Sequence, residues 1–498
     1  MKLKALIEGI QMDEIHGFAD VEVAGIEVDS RQTRPGQVFV ALKGVKTDGH
    51  QFIGEVVGKG VAAVICEQVV GQFPNVTQIR VADSHAALAR LAANYYGHPS
   101  RRLKMAGITG TNGKTTTSFL LASIFDKAGF PAGVVGTLGC QIGERQLPAL
   151  NTTPPAHRLQ EWLAQMLHAG LKAAVMEVSS HSLVQRRVDE VAWDVAVFTN
   201  LTRDHLDYHR DMDEYFRAKR LLFERLEGTG KAAVAVFNFD DPRGAEIRAA
   251  LGNGVKALSF GVARAADVQA ELTPEAFGVA GSRFRLVAPQ GSVEISTPLC
   301  GRHNVSNCLA AAAAGLGLGL DLQTVKQGLE AVQNVPGRLE RVNGGKGKKG
   351  FSVFVDYAHT DDALCNVLNT LRPLTKGKLI TVFGCGGDRD ATKRPLMGKA
   401  ASEFSDYCLV TTDNPRNEDP AAIVKQIEAG ILKDRAYRVV LDRRQAIAEA
   451  LAMAREGDVV LLAGKGHETY QESRGTRAPF DDRQVAREAL AAINGGKN

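Results

Sequence analysis

One segment constrains this chain more than any other: Ala106-Gly107-Ile108-Thr109-Gly110-Thr111-Asn112-Gly113-Lys114-Thr115-Thr116-Thr117. An apolar lead-in meets a glycine-rich turn, a lysine and three threonines, then a helix expected over Ser118 to Ala128. Strand, tight loop and helix N-terminus in that order suit a triphosphate. Glycines let backbone N–H groups converge on phosphate oxygens, and the helix end adds partial positive charge. Lys114 supplies a full charge toward the β- and γ-phosphates, and the Thr115 hydroxyl can ligate Mg²⁺. The usual phosphate loop has one more glycine where this chain carries Ile108, so the segment is the shorter Gly-x-x-Gly-Lys-Thr form. The bland alternative, a glycine turn with a surface lysine, is disfavoured by the strand and helix on either side.

At 498 residues the chain exceeds one core, and about two to four domains are expected. Three blocks emerge. Residues 1–103 carry short apolar runs at Val38 to Leu42, Ala62 to Cys66 and Ile79 to Val81, with helical periodicity over Ser84 to Tyr96, which predicts a small α/β domain. Residues 104–335 open with the strand Leu103 to Ile108. Further buried strands are expected at Ala132 to Gly136, Ala173 to Val178, Val195 to Phe198 and Ala232 to Phe237. Amphipathic segments such as Ala156 to Ala169 and Asp213 to Leu226 lie between them, so the sheet is expected to be doubly wound and mostly parallel. From Val268 to Pro298 the pattern becomes two-residue alternation, an antiparallel excursion. Residues 336–498 hold strands at Ser352 to Val355, Leu379 to Gly384, Tyr407 to Thr411, Val439 to Leu441 and Val459 to Leu462. That is a Rossmann-like unit without a Gly-x-Gly-x-x-Gly turn, so no dinucleotide is read there.

Sixty basic and 56 acidic residues nearly balance, and the one basic block, Lys346 to Lys349, reads as a solvated hairpin tip. Nucleic acid is not implied. The seven cysteines are scattered with no Cys-x-x-Cys pair, so neither a zinc site nor a disulfide framework is expected. Residues 1–20 carry charges throughout and predict no signal peptide. The apolar stretch Cys308 to Leu320 falls short of the ~20 residues a membrane span needs. A reducing cytoplasm fits these features.

Two strand ends beside the phosphate loop are rich in polar groups: Glu177-Val178-Ser179-Ser180-His181 and Asn200 through His209. Mg²⁺ takes oxygen ligands and few protein donors, so these ends suggest a Mg²⁺ pocket, although any one histidine read alone is as readily structural. Lys219, on an amphipathic helix, reads from composition as a solvated lysine. In the last block, Gly386-Gly387-Asp388-Arg389-Asp390, Asp413-Asn414-Pro415-Arg416 and Gly464-Lys465-Gly466-His467-Glu468 follow three strands and describe a binding edge, though each alone is as readily a turn.

Taken together, Gly110-Thr111-Asn112-Gly113-Lys114-Thr115, Glu177 to His181, Asn200 to His205, Gly301-Arg302-His303-Asn304 and Asp356-Tyr357-Ala358-His359 resemble the Mur ligases, ATP-dependent amide-bond ligases that build the peptidoglycan stem peptide. The resemblance covers all three blocks. Val28-Asp29-Ser30-Arg31 with Pro35-Gly36 is similar to the opening of the branch that adds meso-diaminopimelate to UDP-N-acetylmuramoyl-L-alanyl-D-glutamate, and Asp413 to Arg416 resembles that branch's diaminopimelate motif. Diaminopimelate differs from lysine by a distal carboxylate, which a guanidinium can bind bidentately. One departure is Asp361 after Thr360, where relatives commonly carry proline; it bears on the shape of that loop.

The resemblance implies three domains: uridine-binding (1–103), ATP-binding (104–335) and amino-acid-binding (336–498). Val28, Ser30 and the loop Val45-Lys46-Thr47 would approach the uridine; Asn151, Thr152, Thr153, Ser179, Gln185 and Arg187 would hold the muramoyl-dipeptide and pyrophosphate. Gly110 through Thr116 would hold ATP phosphates, Asn304 the adenine, and Arg338 with Asp356 the ribose side. Thr115, Glu177 and His205 would serve Mg²⁺, while Arg389, Asp413, Asn414, Pro415, Arg416, Gly464 and Glu468 would hold diaminopimelate. Lys219 matches the family lysine that reacts with CO₂ to form a carbamate, which requires a lowered pKa. Lys114, Lys219, His205 and Glu177 would be the catalytic set, acting in a monomer on small molecules with neither nucleic acid nor membrane as partner. The implied chemistry is phosphorylation of the D-glutamyl carboxylate, then amine attack, with closure of the last block excluding water. A folylpolyglutamate-synthase-like ligase is disfavoured by the uridine-type opening block. A nucleotide switch would not need the amino-acid edge.

Overall fold

The computed structural model describes residues 1–44, 47–71, 73–228, 230–342 and 350–495. Val45, Lys46 and the basic block at 346–349 lie outside the described residues. The chain divides into two compact units. The first comprises 1–270, 286–293 and 306–329, the second 271–285, 294–305 and 330–498.

The first unit contains two sheets. In the N-terminal one, Gly25–Glu27, Gln37–Val40, Ala63–Cys66 and Thr77–Arg80 run parallel in that order, and Glu14–His16 pairs antiparallel at the far edge. Helix Ser84–Tyr96 is capped by Asp83, whose carboxylate accepts from Ala86 N–H, and ends at left-handed Gly97. Its face of Ala87, Leu88, Leu91 and Ala92 shares a core with Val38, Val40 and Ile65 of the sheet.

The larger sheet carries the phosphate-loop segment at its centre. Across it the order is Lys256–Gly261, Val234–Asn238, Val195–Phe198, Lys104–Thr109, Ala173–Glu177, Ala132–Gly136, and all of these neighbours are parallel. The run continues antiparallel through Gly139–Ile142 and Arg145–Leu147. Glu177 lies opposite Ile108, Phe198 opposite Thr109 and Met176 opposite Val135, so four adjacent strands end at one edge. Helix Lys114–Lys127 follows the central strand. Gly107 admits the buried Trp193, since a Cβ there would lie 3.0 Å from its ring. The alternating segment after Val268 forms strands Gly281–Ala288 and Gly291–Thr297, which pair with each other, in agreement with the period-two pattern.

In the second unit the order is Glu340–Arg341, Ser352–Asp356, Val459–Ala463, Leu379–Phe383, Tyr407–Val410, Tyr437–Val439, parallel except for the first pair. Again four adjacent strands, starting from Ser352–Asp356, present their carboxyl ends to one edge. The last strand begins two residues earlier than its hydrophobicity suggests: pairing of Val410 with Val439 sets its register, and Leu441 lies beyond it, exposed. Thr360 caps helix Asp361–Leu371 by accepting from Ala363 N–H at 3.3 Å. Asp361 therefore occupies the first helical position, where a carboxylate is favoured by the helix dipole, and the departure from proline leaves a well-formed helix start.

Candidate active site

In the first unit the chemistry gathers where the four strands end. Gly110 (φ 148°) and Gly113 (φ 86°) both take conformations that favour glycine. A Cβ on Gly110 would collide with Thr199 Oγ1, and one on Gly113 with Asn307 Oδ1. The loop is stitched to the next strand end: Thr111 N–H donates to Asn200 O (2.9 Å) and Asn112 N–H to Asn200 Oδ1 (2.9 Å). Asn112 Nδ2 reaches Thr202 Oγ1 at 3.1 Å. Lys114 Nζ curls over the loop to Gly110 O (3.0 Å) and Thr111 O (2.8 Å), and Thr115 and Thr116 begin the helix as buried residues.

Thr115 Oγ1 donates to Glu177 Oε1 at 3.0 Å. Glu177, 1% exposed, also accepts from Thr137 N (2.9 Å) and Thr137 Oγ1 (3.1 Å). Thr137 escaped the sequence reading because a single threonine after an apolar run carries no signal; only adjacency of the two strands reveals it. Thr137 Oγ1 lies 3.3 Å from Thr152 Oγ1. Thr153 is fully buried, donating to Glu177 O (2.8 Å) and accepting from Ser179 N (3.0 Å), so its hydroxyl positions rather than contacts a ligand. Arg187 donates to Thr153 O (2.6 Å) and to Gln185 Oε1 (3.0 Å from Nε), and Gln185 reaches Tyr208 OH at 3.3 Å. One hydrogen-bonded chain thus joins Thr115, Glu177, Thr152, Thr153, Ser179, Arg187 and Gln185. Asn151 is exposed at its margin.

Lys219 is where composition misleads. It is 1% exposed, on the inward face of helix Met212–Glu224 with Tyr215, Phe216, Leu222 and Phe223. Its Nζ donates to Gly110 O at 2.9 Å and sits 4.2 Å from the centre of the Tyr215 ring. Burial, reinforced by the nearby Lys114 charge, pushes its pKa well below the usual lysine range. Tyr215 links this lysine to a ring cluster: His205 stands 5.8 Å and His209 5.2 Å from the Tyr215 ring, and His181 lies 5.0 Å from His205. Burial, with His205 adding to it, lowers His181 to about 4. His209 is buried on Ser180 Oγ at 2.9 Å, a structural histidine.

Val28 and Ser30 follow strand Gly25–Glu27, held by Glu27 Oε1 accepting from Val28 N (2.9 Å) and Asp29 N (3.1 Å). Lys59 Nζ donates to Ser30 O at 2.7 Å, and Thr47 is exposed nearby in sequence.

In the second unit the edge gathers Arg389, Asp413 to Arg416, Gly464 and Glu468. Arg416 holds a left-handed backbone (φ 49°), fixed because its N–H donates to Glu472 O (3.0 Å) and its carbonyl accepts from Arg474 N (2.7 Å). Its Nη1 donates to Gly387 O at 2.7 Å. Gly387 must be glycine, since a Cβ would strike Pro415 O. Asp413 and Asn414 are buried; Asn414 Nδ2 donates to Glu468 Oε2 at 2.8 Å. Gly464 (φ 111°) lets Asp413 Oδ2 approach to 2.6 Å of where its Cβ would be. Arg389 is exposed. Below the loop, Arg443 and Asp482, both fully buried, form a two-bond ion pair (2.8 and 2.6 Å), and Arg443 also donates to Ala463 O at 2.9 Å. Asp356 accepts from Leu339 N (2.7 Å) and Ala358 N (2.8 Å), burial raising its pKa, while the Arg338 guanidinium lies 5.3 Å from the Tyr357 ring. Asn304 is buried, donating to Cys300 O at 2.9 Å.

A phosphate loop bonded to a buried carboxylate, in a chain that also carries a charged strand edge in a second α/β unit, defines a nucleotide-dependent ligase class. Comparison with known proteins agrees. Residues 22–96 match the profile of the Mur ligase family catalytic domain, 108–315 the Mur ligase middle domain and 337–466 the Mur ligase glutamate ligase domain. UDP-N-acetylmuramoyl-L-alanyl-D-glutamate–2,6-diaminopimelate ligases of Syntrophomonas wolfei (44% identity, 98% of this chain, 99% of the relative) and Gloeobacter violaceus (46%, 99% and 98%) are similar over their whole length. A solved structure of a ligase of that name superposes with a TM-score of 0.71 at 34% identity, covering 99% of both chains. This chain belongs to the Mur ligase family, with its three-domain α/β fold.

Proposed function

We propose that this chain is an ATP- and Mg²⁺-dependent ligase joining meso-diaminopimelate to the D-glutamate of UDP-N-acetylmuramoyl-L-alanyl-D-glutamate. The carrying observation is the second unit's edge, where a guanidinium anchored by backbone (Arg416) accompanies the carboxylates of Asp413 and Glu468. Opposite charges of this kind suit the carboxylate and ammonium of an amino-acid end. The names of the full-length relatives support the same reading. Residues 1–103 are assigned to the uridine end, 104–335 to ATP and the dipeptide, and 336–498 to diaminopimelate.

The D-glutamyl carboxylate is a poor electrophile, so it must be activated. Its oxygen takes the γ-phosphoryl group of ATP, giving an acyl phosphate and ADP. The diaminopimelate amine then attacks the carbonyl carbon; the C–N bond forms, the C–O bond to phosphate breaks, and a proton leaves the nitrogen. Lys114 and the loop N–H groups offset charge on the transferring group. Thr115 and Glu177, hard oxygen donors 3.0 Å apart, suit Mg²⁺, which takes few protein ligands and retains waters, and His205 is added to them on the family resemblance alone. Mg²⁺ bound there would neutralise phosphate charge. Burial pushes the Lys219 pKa well below the usual lysine range, which favours the neutral amine that attacks CO₂ and loses a proton to become a carbamate, an anion facing the same loop. Asn304, Arg338 and Asp356 are assigned to the nucleoside of ATP on the family resemblance. Val28, Ser30 and the 45–47 loop go to the uridine, and Asn151, Thr152, Ser179, Gln185 and Arg187 to the dipeptide and pyrophosphate, with the buried Thr153 hydroxyl positioning Ser179.

The enzyme acts as a monomer on small molecules. No described helix is long and apolar enough to cross a membrane, and the free cysteines suit a reducing cytoplasm. The test is mass detection of the UDP-tripeptide and ADP formed together. ATP turnover without either co-substrate, and no tripeptide with both, refutes the reading.

A further inference from the structure

Among the described residues two lysines are buried, Lys219 and Lys465. The mechanism uses the first and leaves the second unexplained. Lys465 is 0% exposed in the loop after strand Val459–Ala463. A fully desolvated ammonium is costly unless its protons find acceptors, and apolar replacements of buried ion pairs are often neutral or stabilising. A lysine here therefore calls for a reason beyond packing.

Its bonds supply one. Lys465 Nζ donates to Asn414 Oδ1 at 3.0 Å and pairs with Glu468 Oε2 at 3.1 Å. Asn414 Nδ2 donates to that same Glu468 oxygen at 2.8 Å, and Glu472 N–H donates to Asn414 Oδ1 at 3.0 Å. The Asn414 amide is thereby locked, oxygen toward two donors and nitrogen toward one carboxylate oxygen. Glu468 is locked in turn, because two donors hold Oε2 and none of these bonds uses Oε1. After strand Tyr407–Val410, one strand removed across Leu379–Phe383, Asp413 Oδ1 accepts from Asn414 N at 2.6 Å, while Oδ2 faces Gly464. Two carboxylate oxygens, Glu468 Oε1 and Asp413 Oδ2, stay clear of the Lys465 network. The lysine places one positive charge 3.1 Å from the Glu468 carboxylate and holds it through Oε2 alone.

We propose that Lys465 is a positioning residue that orients Asn414 and Glu468 to receive the ammonium of the amino-acid substrate. This rests on the reading of the second unit as the amino-acid site. Lys465 touches no substrate itself; it acts through Glu468.

The test is a double-mutant cycle on the full-length enzyme with Lys465→Met, Glu468→Gln and both together. Michaelis constants are measured for diaminopimelate, ATP and the nucleotide-dipeptide. Lys465→Met should raise the diaminopimelate constant about tenfold or more, as expected for loss of a charge-assisted network, with the other two constants within about twofold. The double variant should be no worse than Glu468→Gln alone. Lys465→Arg, which keeps the charge, should recover part of the loss. An unchanged diaminopimelate constant in Lys465→Met, equal changes in all three constants, or additive effects in the double variant would each overturn the proposal. Wild-type turnover in the same assay stands or falls with the proposed function separately, so failure of the two is told apart.

Discussion

Replacing Arg416 should change which amino acid the enzyme prefers more than how fast it works. Nη1 is committed to Gly387 O at 2.7 Å, and Nε lies 3.8 Å from Glu472 Oε2, so the remaining guanidinium edge is what a distal carboxylate would engage. One charge-assisted hydrogen bond contributes about 1.5–3 kcal/mol. Its loss corresponds to a rise of about 10- to 150-fold in the diaminopimelate Michaelis constant. Arginine and alanine both carry a Cβ and meet the left-handed backbone at φ 49° alike, so Arg416→Ala removes the guanidinium without adding backbone strain. Asparagine tolerates that conformation better, so Arg416→Asn is a second probe in which a loss of affinity cannot come from backbone strain. L-Lysine lacks the distal carboxylate, and its kcat/KM should move little in either variant. The assay is coupled ADP release with each amino acid varied. An unchanged diaminopimelate constant in Arg416→Asn, or parallel losses for diaminopimelate and lysine, would refute the assignment.

Further outcomes follow from the same geometry. Lys219→Ala should be nearly inactive and partly restored by a short carboxylate such as acetate; full activity without added acid would remove the carbamate. Gly136→Ala would drive a Cβ into Glu177 Oε1 and pull that carboxylate off Thr115, lowering kcat about 100-fold and, by overpacking a buried site, stability by about 1–3 kcal/mol, both read by kinetics below the melting transition and by thermal unfolding. His157 is buried and its pKa is depressed by burial from 6.5 to about 4. The unfolded chain therefore takes up the proton first, so stability is full above pH 6.5 and falls as pH drops toward 4, by about 3 kcal/mol at its limit. Urea unfolding at several pH values should show this slope together with that of His181, His303 and His467, which burial lowers in the same way, and His157→Leu should remove one histidine's share of it.

Much of this was readable in the sequence, for physical reasons. Strands Ala132–Gly136 and Val195–Phe198 and helix Ser84–Tyr96 fall where their patterns place them, because continuous apolar runs and a capped helix with a terminal glycine are local signals. Composition alone puts Lys219 in solvent because it is charged, whereas Tyr215, Lys219 and Leu222 share one buried helical face. Thr137 and Lys465 were invisible for a different reason. Their roles exist only where strands distant in sequence end at one sheet edge, bringing Thr137 to Glu177 from the adjacent strand and Lys465 to Asn414 across one intervening strand. Short edge strands such as Tyr437–Val439 take their register from pairing, which no local pattern encodes.

The central claim is tested most directly by phosphate release from ATP with UDP-N-acetylmuramoyl-L-alanyl-D-glutamate, comparing meso-diaminopimelate with L-lysine in the wild-type enzyme. The account predicts turnover dependent on both co-substrates and strongly favouring diaminopimelate. Preference for lysine would keep the fold and the acyl-phosphate chemistry but contradict the role given to Arg416, and silence with both amino acids would contradict the ligase itself.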